Sequence, residues 1–226
     1  ASMYAKAMPA ELKETKDGAE ISYVYRLFDA GENILGNECR VTYGIRKDGA
    51  LTIHMEYEAD EKIKTHEMPE FGMLLRIPEQ YDKVTYYGYG PEENYWDRRQ
   101  GSRLGKFHFS VKENLSEYLA PQESGGRSGV REAVIEDENG YGLRISAEEM
   151  DFSALPYTPH ELENARHLYE LPDSEYTVLR PSLHQMGVGG DDSWLSKPHP
   201  QYRMEQPGKY EFTFTIKGGK KLETDK

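Results

Sequence analysis

The chain has 226 residues and a formal net charge of −12, enough length to bury a substantial single core and the wrong charge for a partner coated in phosphates, which excludes nucleic acid and anionic membrane surfaces as expected partners. Cys39 stands alone, so no internal disulfide and no thiolate zinc site can be assembled within the chain. No stretch approaches the roughly 20 apolar residues of a membrane span, and Ala1 to Met8 lack the basic and apolar halves of a signal peptide.

In chain order, strands are expected near 21–28, then over Cys39 to Ile45, where Cys39, Val41, Tyr43 and Ile45 alternate with Arg40, Thr42 and Arg46. Leu51, Ile53, Met55 and Tyr57 alternate in turn with Thr52, His54, Glu56 and Glu58, the period-two pattern of a half-buried strand. Asp48-Gly49 between the two runs supplies the positive φ angles of a tight hairpin. Further strands are expected at 71–77, 83–89 and 106–111. A second hairpin joins the run from Val130 to Ile135 with Tyr141, Leu143 and Ile145 through Asn139-Gly140. Thr158 and Glu161 have capping-box spacing around Pro159, predicting one helix that runs through Leu168. A strand near 175–180 precedes the last one, in which Tyr210, Phe212, Phe214 and Ile216 share a face. The polar segment 218–226 reads as a flexible tail behind a single domain over 1–217. Many strands, scarce helix and no βαβ alternation predict an all-β antiparallel sandwich or barrel with one or two short helices. Seventeen tyrosines against seven phenylalanines suit sheet faces and sugar-facing surfaces equally, since each ring buries area while its hydroxyl stays wet.

Candidate chemistry is sparse. A retaining glycosidase needs two carboxyl groups about 5–5.5 Å apart, whereas sequence neighbours such as Glu92-Glu93 and Glu148-Glu149 diverge across a strand and read as solvated surface. His160 and His167, seven residues apart, lie about two helical turns from each other, too far to ligate one zinc directly. The glycine-rich runs Gly88-Tyr89-Gly90 and Gly187-Val188-Gly189-Gly190 are each followed by acids where a phosphate would sit. Gly126-Arg127-Ser128-Gly129 lacks the spacing of a nucleophile elbow. No cofactor is expected in this chain.

What remains is the run from Gly187 to Trp194. Its glycines permit turns that side chains forbid. Asp191, Asp192 and Ser193 can hydrogen-bond the loop's own amides, and Trp194 ends it; Gly189, Gly190 and His184 complete the expected support. A rigid, partly exposed indole is a platform for the apolar face of a pyranose. A tryptophan filling the core beneath a tight loop is the alternative on composition alone.

The run His184-Gln185-Met186-Gly187-Val188-Gly189-Gly190-Asp191-Asp192-Ser193-Trp194 resembles the C-terminal signature of the small-chain, domain-five type of β-galactosidases in glycoside hydrolase family two. Tyr87 to Arg98 resembles that family's Gly-x-Gly-Pro-x-Glu-Asn-Tyr-x-Asp-Arg motif, and Pro121 to Arg127, leading to Arg131-Glu132, its next stretch. The resemblance runs from about Tyr23 to Ile216. It implies a large antiparallel supersandwich of the galactose-mutarotase type, and catalytic glutamates, magnesium and sodium held by a (β/α)8 barrel and other domains or by a large subunit. It also implies that Trp194 reaches that barrel's pocket and stacks on the galactoside substrate or its aglycone. Asn94, Tyr95, Asp97, Arg98, Arg127 and Arg131 match motif positions and read as structural holders of turns and ion pairs. A self-contained mutarotase or epimerase, and a free-standing carbohydrate-binding module, are the alternatives. The compartment, cytoplasmic or periplasmic, depends on the parent's own N-terminus.

The family domain usually begins some tens of residues before anything matching Ala1, so the first strands are expected to be missing and a sheet edge to be open. Unpaired strand edges invite pairing, and self-association at high concentration is the expected outcome in sedimentation; a strictly monomeric profile would contradict it.

Overall fold

The computed structural model describes residues 4–28, 34–59, 67–192, 194–204, 208–222 and 224, of which 4–6, 27–28 and 34–37 are described for the backbone alone. In chain order the strands are β1 (Tyr4–Ala7), β2 (Glu11–Thr15), β3 (Gly18–Phe28), β4 (Ile34–Arg46), β5 (Leu51–Glu58), β6 (Glu70–Gly72), β7 (Leu75–Pro78), β8 (Lys83–Gly90), β9 (Arg103–Ser110), β10 (Arg127–Glu136), β11 (Tyr141–Leu155), β12 (Tyr176–Gln185) and β13 (Lys209–Lys220); among the described residues one α-helix, α1 (Pro159–Asn164), and three single 3-10 turns interrupt them. Every strand pairing is antiparallel. The expected all-β antiparallel sandwich is what the chain forms.

The sheet runs β1-β3-β4-β5-β13-β11-β10-β8-β9, and β12 branches from β11 carrying β6 and β7. The branch point is built into β11. Its first half, Tyr141 to Ser146, pairs with β13, while its second half, Asp151 to Leu155, pairs with β12. Its register against β10 shifts twice, between Arg127 and Val130 and between Val130 and Glu132. Such bulges bend a strand and let one ladder feed two layers. The layers meet across a shared core: Phe71 of β6 packs its ring 6.2 Å from Tyr57 of β5 and 5.9 Å from Tyr210 of β13. Alternation fills that core from the neighbouring strands of one layer, with Ile53, Met55 and Tyr57 buried on β5 and Phe212 and Phe214 on β13.

Several expectations are corrected. The single strand expected over 71–77 is two, because Pro181 at the middle of β12 has no N–H to offer on that side; its carbonyl accepts from Met73 N–H at 3.0 Å, and β6 and β7 pair on either side of it. Both hairpins form where expected, but with one positive φ each, at Gly49 and Gly140. Arg46 O and Asp137 O accept from those glycines' N–H groups, the geometry of a type I turn closed by a left-handed glycine. The capping box at Thr158 and Glu161 is present. The helix stops at Asn164 rather than reaching Leu168, and the N–H of Arg166 goes to the Glu170 carboxylate at 2.7 Å instead of to a helical carbonyl. At the other end β13 continues through Gly218, Gly219 and Lys220, paired with Leu143, Gly142 and Tyr141, so these three residues of the expected tail are strand.

Polar groups lock the branch. Arg180 of β12 is 5% exposed and donates to Glu70 at 2.6 Å and Glu123 at 2.8 Å. Burial alone would lower its pKa; the two carboxylates reverse that and hold it above the usual arginine value. Removing one partner of such a group strands charge in a dry site. Arg180→Met is therefore expected to cost about 3–5 kcal/mol in denaturant unfolding, whereas Lys209→Ala, which removes an exposed pair with Glu58, costs under about 1 kcal/mol. Equal losses would contradict the assignment.

Candidate functional site

The chain leaves β12 at Gln185 and enters the loop that carries Trp194. The root of the loop is pinned by backbone donors: Met186 N–H to Pro69 O and Gly187 N–H to Tyr202 O, both at 2.8 Å. Gly189 N–H donates to Asp97 Oδ2, also at 2.8 Å and 92 residues away in sequence. His184, at the end of β12, stacks on Trp96 with ring centroids 4.6 Å apart and planes 17° apart, and Tyr202 meets the same indole edge-on at 5.8 Å. The dipeptide Trp96-Asp97 thus grips the strand end with its ring and the loop with its carboxylate.

Beyond Gly189 the loop braces itself. Asp192 Oδ1 accepts the Trp194 N–H at 2.7 Å, and Asp191 Oδ1 lies 2.7 Å from His199 Nε2. The Trp194 N–H, then Ser196, hold the Asp192 carboxyl below its ordinary value. Gly187 and Gly190 are needed for close approach rather than for left-handed backbone: a Cβ on Gly187 would stand 2.7 Å from Asp97 Oδ2, and one on Gly190 would collide with the Ser196 carbonyl. Positive φ falls instead on Leu195, at 70°. Ser193 lies outside the described residues.

The outcome is an indole in the open. Trp194 is 88% exposed and Leu195 97%, the reverse of tryptophan's usual burial. The alternative of a core-filling Trp194 is excluded.

The motif preceding this site is a turn held from within. Asn94, 1% exposed, donates to Tyr89 O and Glu92 O, both at 2.9 Å, and accepts from the Ser128 N–H and hydroxyl. Glu93 departs from the expected solvated surface. Its carboxylate accepts from Arg98 at 2.6 Å, Ser116 at 2.8 Å, Tyr118 at 2.9 Å and Gly125 N–H at 2.6 Å. Four donors from four places satisfy a carboxylate that would otherwise be costly to cover. Tyr95 is buried beside Glu123 and Glu93, and burial first, then those charges, push its hydroxyl pKa upward. Arg127 lies over Phe109 and donates to Tyr86, and Arg131 pairs with Glu149 at 2.9 Å. These are the turn-and-ion-pair roles expected for the motif. Asp97's reach to the loop was not foreseen; only its adjacency to the Asn94-Tyr95 turn signalled it.

Folding brings Glu70 and Glu123 to one guanidinium, and both are committed to Arg180. The space beside Glu70 and Arg180 is about 10 Å³, room for one water and none for a sugar ring. Among the described residues no three His, Cys, Asp or Glu side chains are grouped to hold a metal ion, and no helix is long and apolar enough to cross a membrane.

Comparison with known proteins gives these features a context. The family model described as beta galactosidase small chain matches residues 2–216. A β-galactosidase of Priestia megaterium is 43% identical over 180 residues, covering 79% of this chain and 17% of that protein. Those of Halalkalibacterium halodurans and Streptococcus thermophilus are 38% and 35% identical, each covering 96% of this chain and 21% of theirs. The chain therefore spans about a fifth of the length of the curated relatives it matches. Among solved structures, a galactose mutarotase related enzyme from Lactobacillus acidophilus aligns with a TM-score of 0.44 at 10% identity, covering 96% of this chain and 73% of that one. A GalM/aldose epimerase homologue from C. elegans aligns at 0.46 and 12%, covering 93% and 68%.

The Asp192 brace has a pH signature. A carboxyl whose folded pKa is depressed lends its stabilisation above the ordinary range and loses it as pH falls through the folded value. The Trp194 amide resonance should titrate with a midpoint below 3.8, and Asp192→Asn, which keeps an oxygen acceptor, should abolish the titration while keeping the amide shift; a midpoint at or above 3.8 would contradict the brace.

Proposed function

Because the chain belongs to the β-galactosidase small-chain family, we propose that it is the accessory C-terminal part of a retaining β-galactosidase, supplying Trp194 to a sugar pocket whose reacting carboxylates lie in other parts of the parent enzyme. The observation that carries this reading is the exposed indole on a loop anchored to a rigid sandwich. A tryptophan held in water exposes apolar area that a partner surface or the apolar face of a pyranose would cover. Asp97 and Asp192 hold the backbone that carries it before substrate arrives, and pre-ordering of that kind raises affinity.

On this reading the chemistry is hydrolysis by two carboxylates on either side of the glycosidic bond, through a glycosyl-enzyme intermediate. Trp194 takes no part in bond breaking. It stacks on the sugar or its aglycone and orients the glycosidic oxygen, and whatever stacking is stronger in the transition state than in the ground state appears in kcat. Glu70 and Glu123 do not serve as the reacting pair, since Arg180 already neutralises both.

Two outcomes follow. The isolated chain should release no chromophore from a nitrophenyl β-galactoside, and turnover that persists after rigorous purification would overturn the accessory assignment. Trp194→Ala in the complete parent enzyme should lower kcat/KM for lactose roughly 5- to 30-fold, the equivalent of about 1–2 kcal/mol of lost stacking, with the unfolding midpoint unchanged. Unaltered lactose kinetics would remove Trp194 from the site.

A further inference from the structure

Asp97 is a polar group held against the Trp194 loop that the proposed function leaves unused. Oδ2 receives the Gly189 N–H, and the loop passes so near that only glycine fits at 187 above that oxygen. Oδ1 is buried with no hydrogen-bond partner among the described residues. The carboxylate therefore spends its one strong contact on the loop.

Asp97 cannot follow the loop if the loop moves. It sits inside the turn closed by Arg98 N–H to Tyr95 O at 2.7 Å and Tyr95 N–H to Arg98 O at 3.4 Å. That turn is fixed on one side by the buried Asn94 and on the other by the Arg98–Glu93 pair. Its neighbour Trp96 is stacked on His184. A fixed carboxylate that accepts a hydrogen bond from a loop's backbone N–H sets the position of that stretch of loop.

We infer that Asp97 is a positioning residue that sets how far, and at what angle, the Trp194 ring projects, and so determines which aglycones a β-galactoside can carry and still be held. The inference rests on the reading of Trp194 as the sugar platform. Asp97 touches no substrate. It acts through the loop, so removing it lets the segment between Gly187 and Gly190 drift, and the ring samples poses in which stacking is lost.

The test uses the complete parent enzyme with lactose, together with amide exchange at Gly189. Asp97→Ala should raise KM roughly tenfold, as expected when a charge-assisted hydrogen bond that orders a loop is lost, with kcat changed by less than about threefold. Asp97→Asn, which keeps an oxygen acceptor, should stay within about threefold of the parent in KM. Gly189→Pro deletes the donor and leaves the carboxylate in place; it should reproduce the Asp97→Ala effect and keeps the test open if that variant fails to fold. In a Trp194→Ala background Asp97→Ala should add nothing, because both changes act through one ring. Gly189 exchange should quicken at least about tenfold in Asp97→Ala and stay slow in Asp97→Asn. Additive penalties in the double variant, or unchanged Gly189 exchange in Asp97→Ala, would overturn this inference alone. Unaltered kinetics in Trp194→Ala itself would overturn the platform reading and this inference with it.

Discussion

The Asp97 carboxylate and the Gly189 N–H, 2.8 Å apart and 92 residues apart in sequence, form the contact through which the rest of the site acquires a fixed geometry. Everything on one side of that bond belongs to a turn held by the buried Asn94 and by the Arg98–Glu93 pair. Everything on the other side is a loop that ends in an exposed indole. An isolated loop of this kind would carry its ring through many orientations and lose ordering free energy each time it bound. Anchoring it to a buried turn moves that loss into folding.

The sandwich makes the anchor credible. β11 divides its partners between β13 and β12, so a single strand carries the register of both layers, and Arg180 ties β12 to Glu70 of β6 and to Glu123 of the segment preceding β10. The loop root emerges from the end of β12, and the Asp97 turn follows β8. Both are therefore fastened to the same layered body, and the distance between them is set by core packing, which tolerates little drift. The loop root inherits its position from residues such as Glu93 and Asn94, which hold the Asp97 turn.

Much of this was legible in the residues. Period-two alternation located β4, β5 and β13, the Asp48-Gly49 and Asn139-Gly140 pairs located two hairpins, and Thr158 with Glu161 located the start of the helix, because each of these is a local rule read over a few residues. What escaped was set at long range. The break between β6 and β7 depends on Pro181, more than a hundred residues downstream, and the burial of Glu93 depends on Ser116, Tyr118 and Gly125 arriving around it. A glutamate beside another glutamate looks solvated until its donors are known. Gly187 and Gly190 were noticed for the right reason of backbone access but for the wrong geometry, since crowding by Asp97 and Ser196, not positive φ, requires them.

The exposed state of Trp194 ties the fold to the proposed role, for a ring so costly to leave in water gains most by being covered in the assembled enzyme. The most direct measurement is a structure of the complete parent β-galactosidase with a galactoside bound. The Trp194 indole should lie within about 4.5 Å of the saccharide, in packing contact with it, and the catalytic carboxylates should come from other parts of the enzyme. A saccharide bound elsewhere, with Trp194 still facing solvent, would contradict the proposed role.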